Sequence, residues 1–318
     1  KEASTSSLVP IATHLAFLGL SALIVVAGIK NGIEKYSKIL MPVLFFLVML
    51  LAIRSMTLDG SSAGIKFLFY PDFSKITGAT LIAALGQAFF SLSLGMGCII
   101  TYGSYVKKNE NLFKVSLMTV AADTGFAILA GLAVMPAVFA FGISPGQGPS
   151  LVFITLPQIF AQLPFGNVIA IAFFFILFIA AITSAISLLE GIVAYFTEEL
   201  KLTRKAAVLI AFTIIGIFGT LSSLSNGVLA DVKIFGKTFF DLFDYTSSNI
   251  LLPVGGLLVV MFVGWRMKKA DVLDELTNGG SIAIKGFVLK WIIFTIKFLA
   301  PIAIALVLLS SIGFIKLF

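Results

Sequence analysis

Charged residues are scarce in this 318-residue sequence, in which Lys, Arg, Asp and Glu together make up 12% of the chain. A soluble domain is roughly a quarter charged, so an ordinary soluble fold is excluded. Cysteine and histidine each occur once, as Cys98 and His14. The single cysteine excludes an internal disulfide, and the single histidine excludes a metal site built from several histidines.

Signatures of catalysis and of nucleic-acid binding are also missing. The sequence contains no Walker loop, no metalloprotease motif and no nucleophile elbow. Its net charge is +7, but the lysines lie in short loops between apolar runs. We therefore expect no enzymatic activity, no organic cofactor and no nucleic-acid partner.

Apolar residues dominate instead, at 59% of the chain with a mean hydropathy of +1.11. A helix needs about 20 apolar residues to cross a bilayer, and eight segments reach that length. They run near 8–28, 37–57, 78–106, 112–142, 166–200, 206–225, 238–265 and 287–314. The sequence thus predicts an all-α membrane protein with eight transmembrane helices in contact with the lipid bilayer.

The loops between the spans indicate an orientation. Those after the first, third, fifth and seventh spans carry more Lys and Arg than the alternate loops. Positive residues favour the cytoplasmic side, so both ends of this chain are expected outside. The chain opens with Lys1 and a short polar lead without a signal-peptide pattern, and we expect an N-terminal portion to be missing.

The third span is unusual because its middle is rich in small residues: Ser91, Ser93, Gly95 and Gly97. Glycine costs a helix interior roughly 1 kcal/mol relative to alanine. A helix broken at 91–97 would bare peptide groups at membrane depth, as the substrate-binding helices of secondary transporters do. The alternative is that the glycines only allow close helix packing.

Polar side chains within spans four and five are the next candidates. The carboxylates Asp123 and Glu190 each cost at least about 2.5 kcal/mol at a helix centre and are functional candidates by default. Thr183 and Ser184, with the carbonyl of Ala180, offer the oxygen ligands that hard cations prefer. The alternative is that the two hydroxyls bond back to their own helix.

Two further expectations concern packing. His14, in the first span, is expected to have a hydrogen-bonded packing role. The apolar patch Leu151–Leu163 is too short to span and is expected to form a surface or re-entrant helix. It follows a Gly/Pro-rich stretch, and 143–165 is either a lid over an outward-facing cavity or an ordinary packed loop.

Several stretches together resemble the neurotransmitter:sodium symporter family, in particular its bacterial amino-acid branch. They are Gln87–Val106, Leu151–Pro157, the Thr183-Ser184 pair, Glu198–Lys205 and the spacing from Gly32 to Pro42. The resemblance covers essentially the whole chain. It implies that the eight spans are helices 4–11 of the family's inverted-repeat fold, and that helices 1–3 are absent. Residues 1–318 would then be a single, N-terminally incomplete transporter domain, with the second inverted repeat at about 78–265.

The resemblance also implies a substrate site. Phe90 would be the aromatic lid over the substrate, Ser93 and Met96 would line the pocket, and Ser184 and Leu188 would face them from span five. None of these positions carries a charge. A neutral, hydrophobic amino acid is therefore the expected substrate.

Two sodium sites follow from the same resemblance. Ser91 and Asp123 would belong to the first site, and Ala180, Thr183 and Ser184 would form the second. Sodium is then a co-transported ion. Chloride-binding members use a glutamine and hydroxyls that Gln87 and Ser91 match, but a fixed carboxylate at Asp123 can replace a bound anion electrostatically. Transport by the complete protein is therefore expected to be independent of chloride.

Three residues resemble gate positions. Asp244 matches the outer-gate acid, whose arginine partner lies on the absent first helix. Glu198 matches the acid that closes the cytoplasmic gate near Tyr105, again with an absent arginine.

The sequence therefore predicts a sodium-coupled amino-acid symporter of the bacterial inner membrane, present here without its first three helices. The alternative is a non-transporting membrane scaffold or binding subunit.

Overall fold

The computed structural model describes residues 8–143 and 151–314. Within these ranges regular structure is helical, and the one extended pairing is an isolated bridge between Ile234 and Lys237. The α-helices are α1 (Leu8–Val26), α2 (Lys35–Met56), α3 (Ser61–Phe69), α4 (Gly78–Ser91), α5 (Cys98–Tyr105), α6 (Leu112–Ala140), α7 (Leu156–Phe160), α8 (Gly166–Glu198), α9 (Arg204–Ser223), α10 (Phe239–Asp244), α11 (Leu252–Met261), α12 (Lys269–Thr277), α13 (Gly286–Phe294) and α14 (Ala300–Ser311). The predicted all-helical class is confirmed.

Seven continuous helices in the described residues are long and apolar enough to cross a membrane. They are Leu8–Val26, Ile29–Met56, Leu112–Ala140, Gly166–Glu198, Arg204–Ser223, Phe239–Arg266 and Gly286–Ser311. Each matches one predicted span. The remaining predicted span, 78–106, is divided between the two short helices α4 and α5, so the predicted break is confirmed.

Several of these long helices contain π-helical turns. Tyr245–Leu251 joins α10 to α11, and Thr295–Leu299 joins α13 to α14. Pro253 and Pro301 follow these turns directly, near the start of α11 and α14. Proline lacks an N–H and clashes with a regular preceding turn, and transmembrane helices tolerate it through such local adjustments. The helices therefore continue past both prolines.

The described chain divides into two compact units. The first comprises Lys1–Ala27, Lys75–Met118 and Ile186–Phe318, and the second comprises Gly28–Ser74 and Thr119–Ala185. The first unit thus holds the broken helix α4/α5 and the helices from α9 to α14. The expected single-domain organisation stays a prediction.

The core of the second unit joins α2, α6, α7 and α8. Leu44 and Val48 of α2 pack with Ile176 and Ile179 of α8. A neighbouring cluster unites Ala137, Val138, Leu156, Ile159, Phe160 and Phe173. The predicted short helix after the Gly/Pro-rich stretch is therefore present as α7 and is buried as a packed segment. Residues 144–150 of the proposed lid lie outside the described residues.

In the first unit, α1 packs along α9 through His14 and Gly219. A Cβ atom built on Gly219 would lie 2.3 Å from both Cε1 and Nε2 of the His14 ring, so only glycine leaves room for the imidazole. The predicted packing role of His14 is confirmed. The expected hydrogen bond is not found at Nε2, which is buried without a partner in the described part of the chain.

Candidate functional site

The break in the third span begins where α4 is closed by a left-handed turn. The N–H of Ser93 donates to the carbonyl of Phe90 at 3.0 Å, and the N–H of Leu94 donates to that of Phe89 at 3.0 Å. This pair of bonds is the Schellman arrangement, which normally places glycine at the left-handed position. Here Ser93 occupies it with φ 53°. A residue with a Cβ pays roughly 1–2 kcal/mol for this conformation, so Ser93 carries local backbone strain.

The two glycines of the break have different reasons to be glycine. Gly97 has φ 83° and caps α5, yet a Cβ there would meet nothing within 4 Å. Gly95 also has positive φ, but a Cβ there would lie 2.2 Å from the carbonyl oxygen of Leu252. Gly97 is therefore required by its left-handed conformation alone. Gly95 is required both by its left-handed conformation and by its close contact with Leu252. The two interpretations of these glycines, a broken helix and close packing, hold together.

The surface of α11 that faces the break also carries glycines, Gly255 and Gly256. A Cβ on Gly255 would lie 2.7 Å from the carbonyl oxygen of Gly95, and one on Gly256 would lie 2.0 Å from the ring of Phe89. The unwound segment therefore rests backbone to backbone on α11.

A cavity of about 420 Å³ opens beside the break, within the first unit. It is lined by Phe90, Gly95, Met96, Leu188, Asp244, Ser247, Ser248, Leu251 and Leu252. Its wall is apolar on the side of the break and polar at the end of α10, where the hydroxyl of Ser248 approaches Asp244 at 3.4 Å. The structure thus places Phe90, Met96, Leu188 and Asp244 around one cavity, and their contact with a substrate stays a prediction.

The other two predicted substrate residues lie elsewhere. Ser93 lines a second, largely apolar cavity of about 560 Å³ between the break, α11 and α14. Ser184 belongs to the second unit and is exposed on α8, four residues before Leu188 on the same helix. Their predicted contact with the substrate stays a prediction.

The predicted sodium ligands are distributed over both units. Ser91 is the last residue of α4, and Asp123 is half-buried on α6. The Thr183 hydroxyl is buried and lies 3.0 Å from the carbonyl oxygens of both Ile179 and Ala180. It thus bonds back to its own helix, as the alternative interpretation expects. The oxygen lone pairs of a hydroxyl that donates in this way are still able to accept a cation.

One of the predicted gate residues, Tyr105, contacts a buried ion pair. Tyr105, at the end of α5, donates from its hydroxyl to Glu190 Oε1 at 2.9 Å. The Arg204 guanidinium donates to both oxygens of Glu190, to Oε1 at 3.2 Å. Glu190 is fully buried. Three helices, α5, α8 and α9, are therefore joined at one carboxylate.

Arg204 also reaches a fourth helix, because its Nε donates to the carbonyl oxygen of Val25 at 2.8 Å. Val25 lies one residue before the end of α1, where the carbonyls lack helical partners. One turn from Glu190 along α8, Ser187 accepts a hydrogen bond from the hydroxyl of Tyr102 at 2.7 Å. By contrast, Glu198 is exposed at the end of α8, where its main-chain carbonyl accepts from Lys201. Sequence reasoning singled out Glu190 but not its partner Arg204, although a buried carboxylate requires a cation or donors.

Comparison with known proteins identifies the protein family of this chain. The profile described as "Sodium:neurotransmitter symporter family" matches residues 10–317. The chain belongs to this family. Its members are multi-pass membrane transporters, and the resemblance inferred from the sequence is confirmed.

Two bacterial relatives and one solved structure illustrate the similarity. The chain is 42% identical over 306 residues to the uncharacterized sodium-dependent transporter YhdH of Bacillus subtilis, covering 96% of this chain and 67% of the relative. It is 39% identical over 298 residues to an uncharacterized sodium-dependent transporter of Haemophilus influenzae, covering 93% and 64%. The crystal structure of MhsT in complex with L-phenylalanine matches with a TM-score of 0.86 at 43% identity, covering 98% of this chain and 70% of that one. The chain thus spans about two thirds of the length of these proteins.

Proposed function

We propose that this family member acts in sodium-coupled symport of a neutral, hydrophobic amino acid. The observation that carries the proposal is the broken helix with a cavity beside it. The break leaves peptide groups beside an open cavity, and such groups are tolerated in a membrane where they line a cavity. The MhsT chain, similar in fold, is described in complex with L-phenylalanine, which supports an amino-acid substrate.

The composition of the cavity supports the apolar class of substrate. Phe90, Met96 and Leu188 form its apolar side, and Asp244 is its only carboxylate among the described lining residues. Asp244 lies at the end of α10, so it suits a gate better than a partner for the substrate's side chain. The apolar side chain of the substrate would lie against Met96 and Leu188. The substrate's amino and carboxylate groups would meet the peptide groups of the break.

Sodium would be held by oxygen ligands on three helices, α4, α6 and α8. We assign Ser91 and Asp123 to one ion, and Ala180, Thr183 and Ser184 to another. Each set combines a hydroxyl with a carboxylate or main-chain carbonyl, which is the chemistry hard cations prefer. The orientation with both ends of this chain outside, in a bacterial inner membrane, belongs to the same proposal.

Uptake and binding measured side by side test the function. The chain is reconstituted in proteoliposomes, alone and together with the N-terminal third of the YhdH relative. We expect L-phenylalanine binding that requires sodium, and uptake driven by a sodium gradient when the relative's helices are supplied. Uptake of glutamate or lysine that leucine does not inhibit would overturn the substrate class.

A matched pair of variants ties the activity to the cavity. F90A removes the aromatic ring lining the cavity, whereas F287A removes a ring that is 80% exposed at the start of α13. F90A is expected to weaken amino-acid binding, and F287A is expected to leave it unchanged. Equal effects of the two variants would remove the cavity from the proposal.

The alternative function is a non-transporting membrane scaffold or binding subunit. The same assay distinguishes it. Amino-acid binding without uptake, whether or not the relative's helices are present, would assign this alternative.

A further inference from the structure

A third pocket in the first unit differs from the two larger ones because cations line it. Its volume is about 150 Å³, and it lies where the start of α12 meets two π-helical turns, Phe262–Arg266 at the end of one long helix and Thr295–Leu299 within another. Its lining residues are Val263, Gly264, Trp265, Met267, Lys269, Val272, Ile293, Ile296 and Lys297. No residue of this pocket lines the cavity beside Phe90.

Lys297 lies within the apolar span Gly286–Ser311. Its Nζ lies 4.7 Å from the centroid of the Trp265 ring, and Trp265 Nε1 donates to the Lys297 carbonyl at 3.0 Å. The ammonium is thus held over an aromatic face by a cation–π contact. Gly264 allows this approach, because a Cβ there would lie 3.2 Å from Lys297 Cα.

Lys269 reaches the same pocket because α12 is amphipathic. At about 100° per residue, Lys269, Val272, Leu273 and Leu276 share one face of this helix. The carboxylates Asp271, Asp274 and Glu275 lie on the opposite face and are exposed. The lysine therefore points toward the pocket side, and the acids of the same helix point away from it.

The cations around the pocket have no carboxylate partners. Among the residues that the structure describes, no carboxylate lies within 4.0 Å of Arg266, Lys268, Lys269 or Lys297. The start of α12 also has no side-chain cap, so its first N–H groups are not satisfied by a capping side chain. Unpaired cations and a helix N-terminus both attract an anion.

We propose that this pocket binds the phosphate headgroup of an anionic phospholipid, held by Lys269 and Lys297. A membrane source is favoured over a soluble anion because the pocket borders lipid-facing surface. Trp265 is 60% exposed, and the rings of Phe294 and Phe298 continue the apolar surface along the neighbouring helix, which carries Lys297. Tryptophan concentrates at membrane interfaces, and basic pockets between transmembrane helices bind anionic headgroups. The site stands independently of sodium-coupled transport.

Tryptophan fluorescence provides the test, because the chain has two tryptophans, Trp265 and Trp291. W291F leaves Trp265 as the reporter. The full chain carrying W291F is reconstituted in phosphatidylcholine vesicles containing either brominated phosphatidylglycerol or brominated phosphatidylcholine. The ratio of quenching by the two lipids measures the preference for the anionic headgroup. Taking a ratio also corrects for any change that a variant causes in the exposure or fluorescence of Trp265.

We expect phosphatidylglycerol to quench Trp265 in preference to phosphatidylcholine. Each lysine near a membrane surface contributes about a fivefold preference, so K269Q should lower the ratio about fivefold and K269Q/K297Q should bring it close to one. The control K285Q/K290Q removes two nearby charges that do not line the pocket and should keep the ratio. Circular dichroism checks that each variant folds. If the double variant does not fold, K269Q alone tests the proposal, because Lys269 is exposed and its substitution should leave the fold intact.

Three outcomes would overturn the proposal. Equal quenching by the two lipids in W291F would show no headgroup preference. An equal loss in K285Q/K290Q would show a diffuse attraction to anionic membranes. Loss of the preference when inorganic phosphate replaces chloride at matched ionic strength would assign the pocket to a soluble anion.

Discussion

Glu190 and Arg204 form a two-point ion pair in which the carboxylate is fully buried and the guanidinium is 27% exposed. The pair joins α8 to the first residue of α9. Tyr105 donates to the same carboxylate, and Arg204 extends to the carbonyl of Val25. A buried ion pair of this kind is costly to break, because the remaining charge is left without a partner.

Arg204→Ala is therefore expected to destabilise the first unit by about 3–5 kcal/mol, since it leaves the Glu190 carboxylate buried with Tyr105 alone. The double variant E190M/R204M removes both charges and should recover most of the loss. Thermal unfolding in detergent, followed by circular dichroism, measures both effects.

An exposed ion pair in the same chain is the control. Glu34 and Lys38 pair at 2.5 Å with side chains 48% and 73% exposed. Glu34→Gln is expected to cost less than about 0.5 kcal/mol. If R204A and E34Q lower the stability by similar amounts, the buried pair stabilises the fold no more than the exposed pair.

The contact between the break and α11 gives a second prediction. Gly95→Ala places a Cβ 2.2 Å from the Leu252 carbonyl oxygen, and Gly256→Ala places one 2.0 Å from the Phe89 ring. Overpacking typically costs about 1–3 kcal/mol, so both variants should lower the melting temperature. Gly103→Ala is the matched control, because a Cβ there meets nothing within 4 Å. Unchanged melting in G95A would contradict the backbone contact between the break and α11.

The strained turn at the end of α4 gives a third prediction with the opposite sign. Ser93→Gly removes the Cβ from a left-handed position and should stabilise the fold by about 1 kcal/mol. Ser93→Ala keeps the Cβ and should bring no such gain. Chemical unfolding of the two variants checks the difference, and equal stability would show that the turn is unstrained.

These contacts show how far sequence reasoning reaches in this chain. Hydropathy is enough to predict where the seven continuous transmembrane helices lie. In lipid the peptide groups of such a segment must be satisfied within the helix itself, so a long apolar run predicts a helix. The break was predictable because Gly95 and Gly97 weaken a helix locally. The contact of Gly95 with Gly256 was not, because the two residues meet only in the folded unit. Lys297 was overlooked because a single charge barely lowers the mean hydropathy of its span.

The second sodium site gives a fourth prediction. Thr183→Val removes a buried hydroxyl at almost constant volume, while the helix keeps its main-chain bonds. If Thr183 binds sodium, the sodium concentration for half-maximal amino-acid binding should rise about tenfold, since a bond to a charged group contributes about 1.5–3 kcal/mol. Thr213→Val is the control, because Thr213 bonds back to Leu209 on an exposed face of α9 in the same way. An unchanged sodium titration in T183V would remove Thr183 from the ion site.

The chloride dependence of transport gives the last prediction, and it depends on Asp123. A carboxylate fixed in a low-dielectric site supplies the negative charge that a bound chloride would otherwise provide. Uptake by this chain reconstituted with the N-terminal third of the YhdH relative should therefore persist when gluconate replaces chloride. Asp123→Asn removes the charge and leaves the site without an anion, so uptake by this variant should become dependent on chloride or be lost. Asp59→Asn, at an exposed position before α3, is the control and should remain independent of chloride. If uptake by the unmodified protein collapses in gluconate, Asp123 does not replace the anion, because a permanent carboxylate at that site would leave no role for chloride.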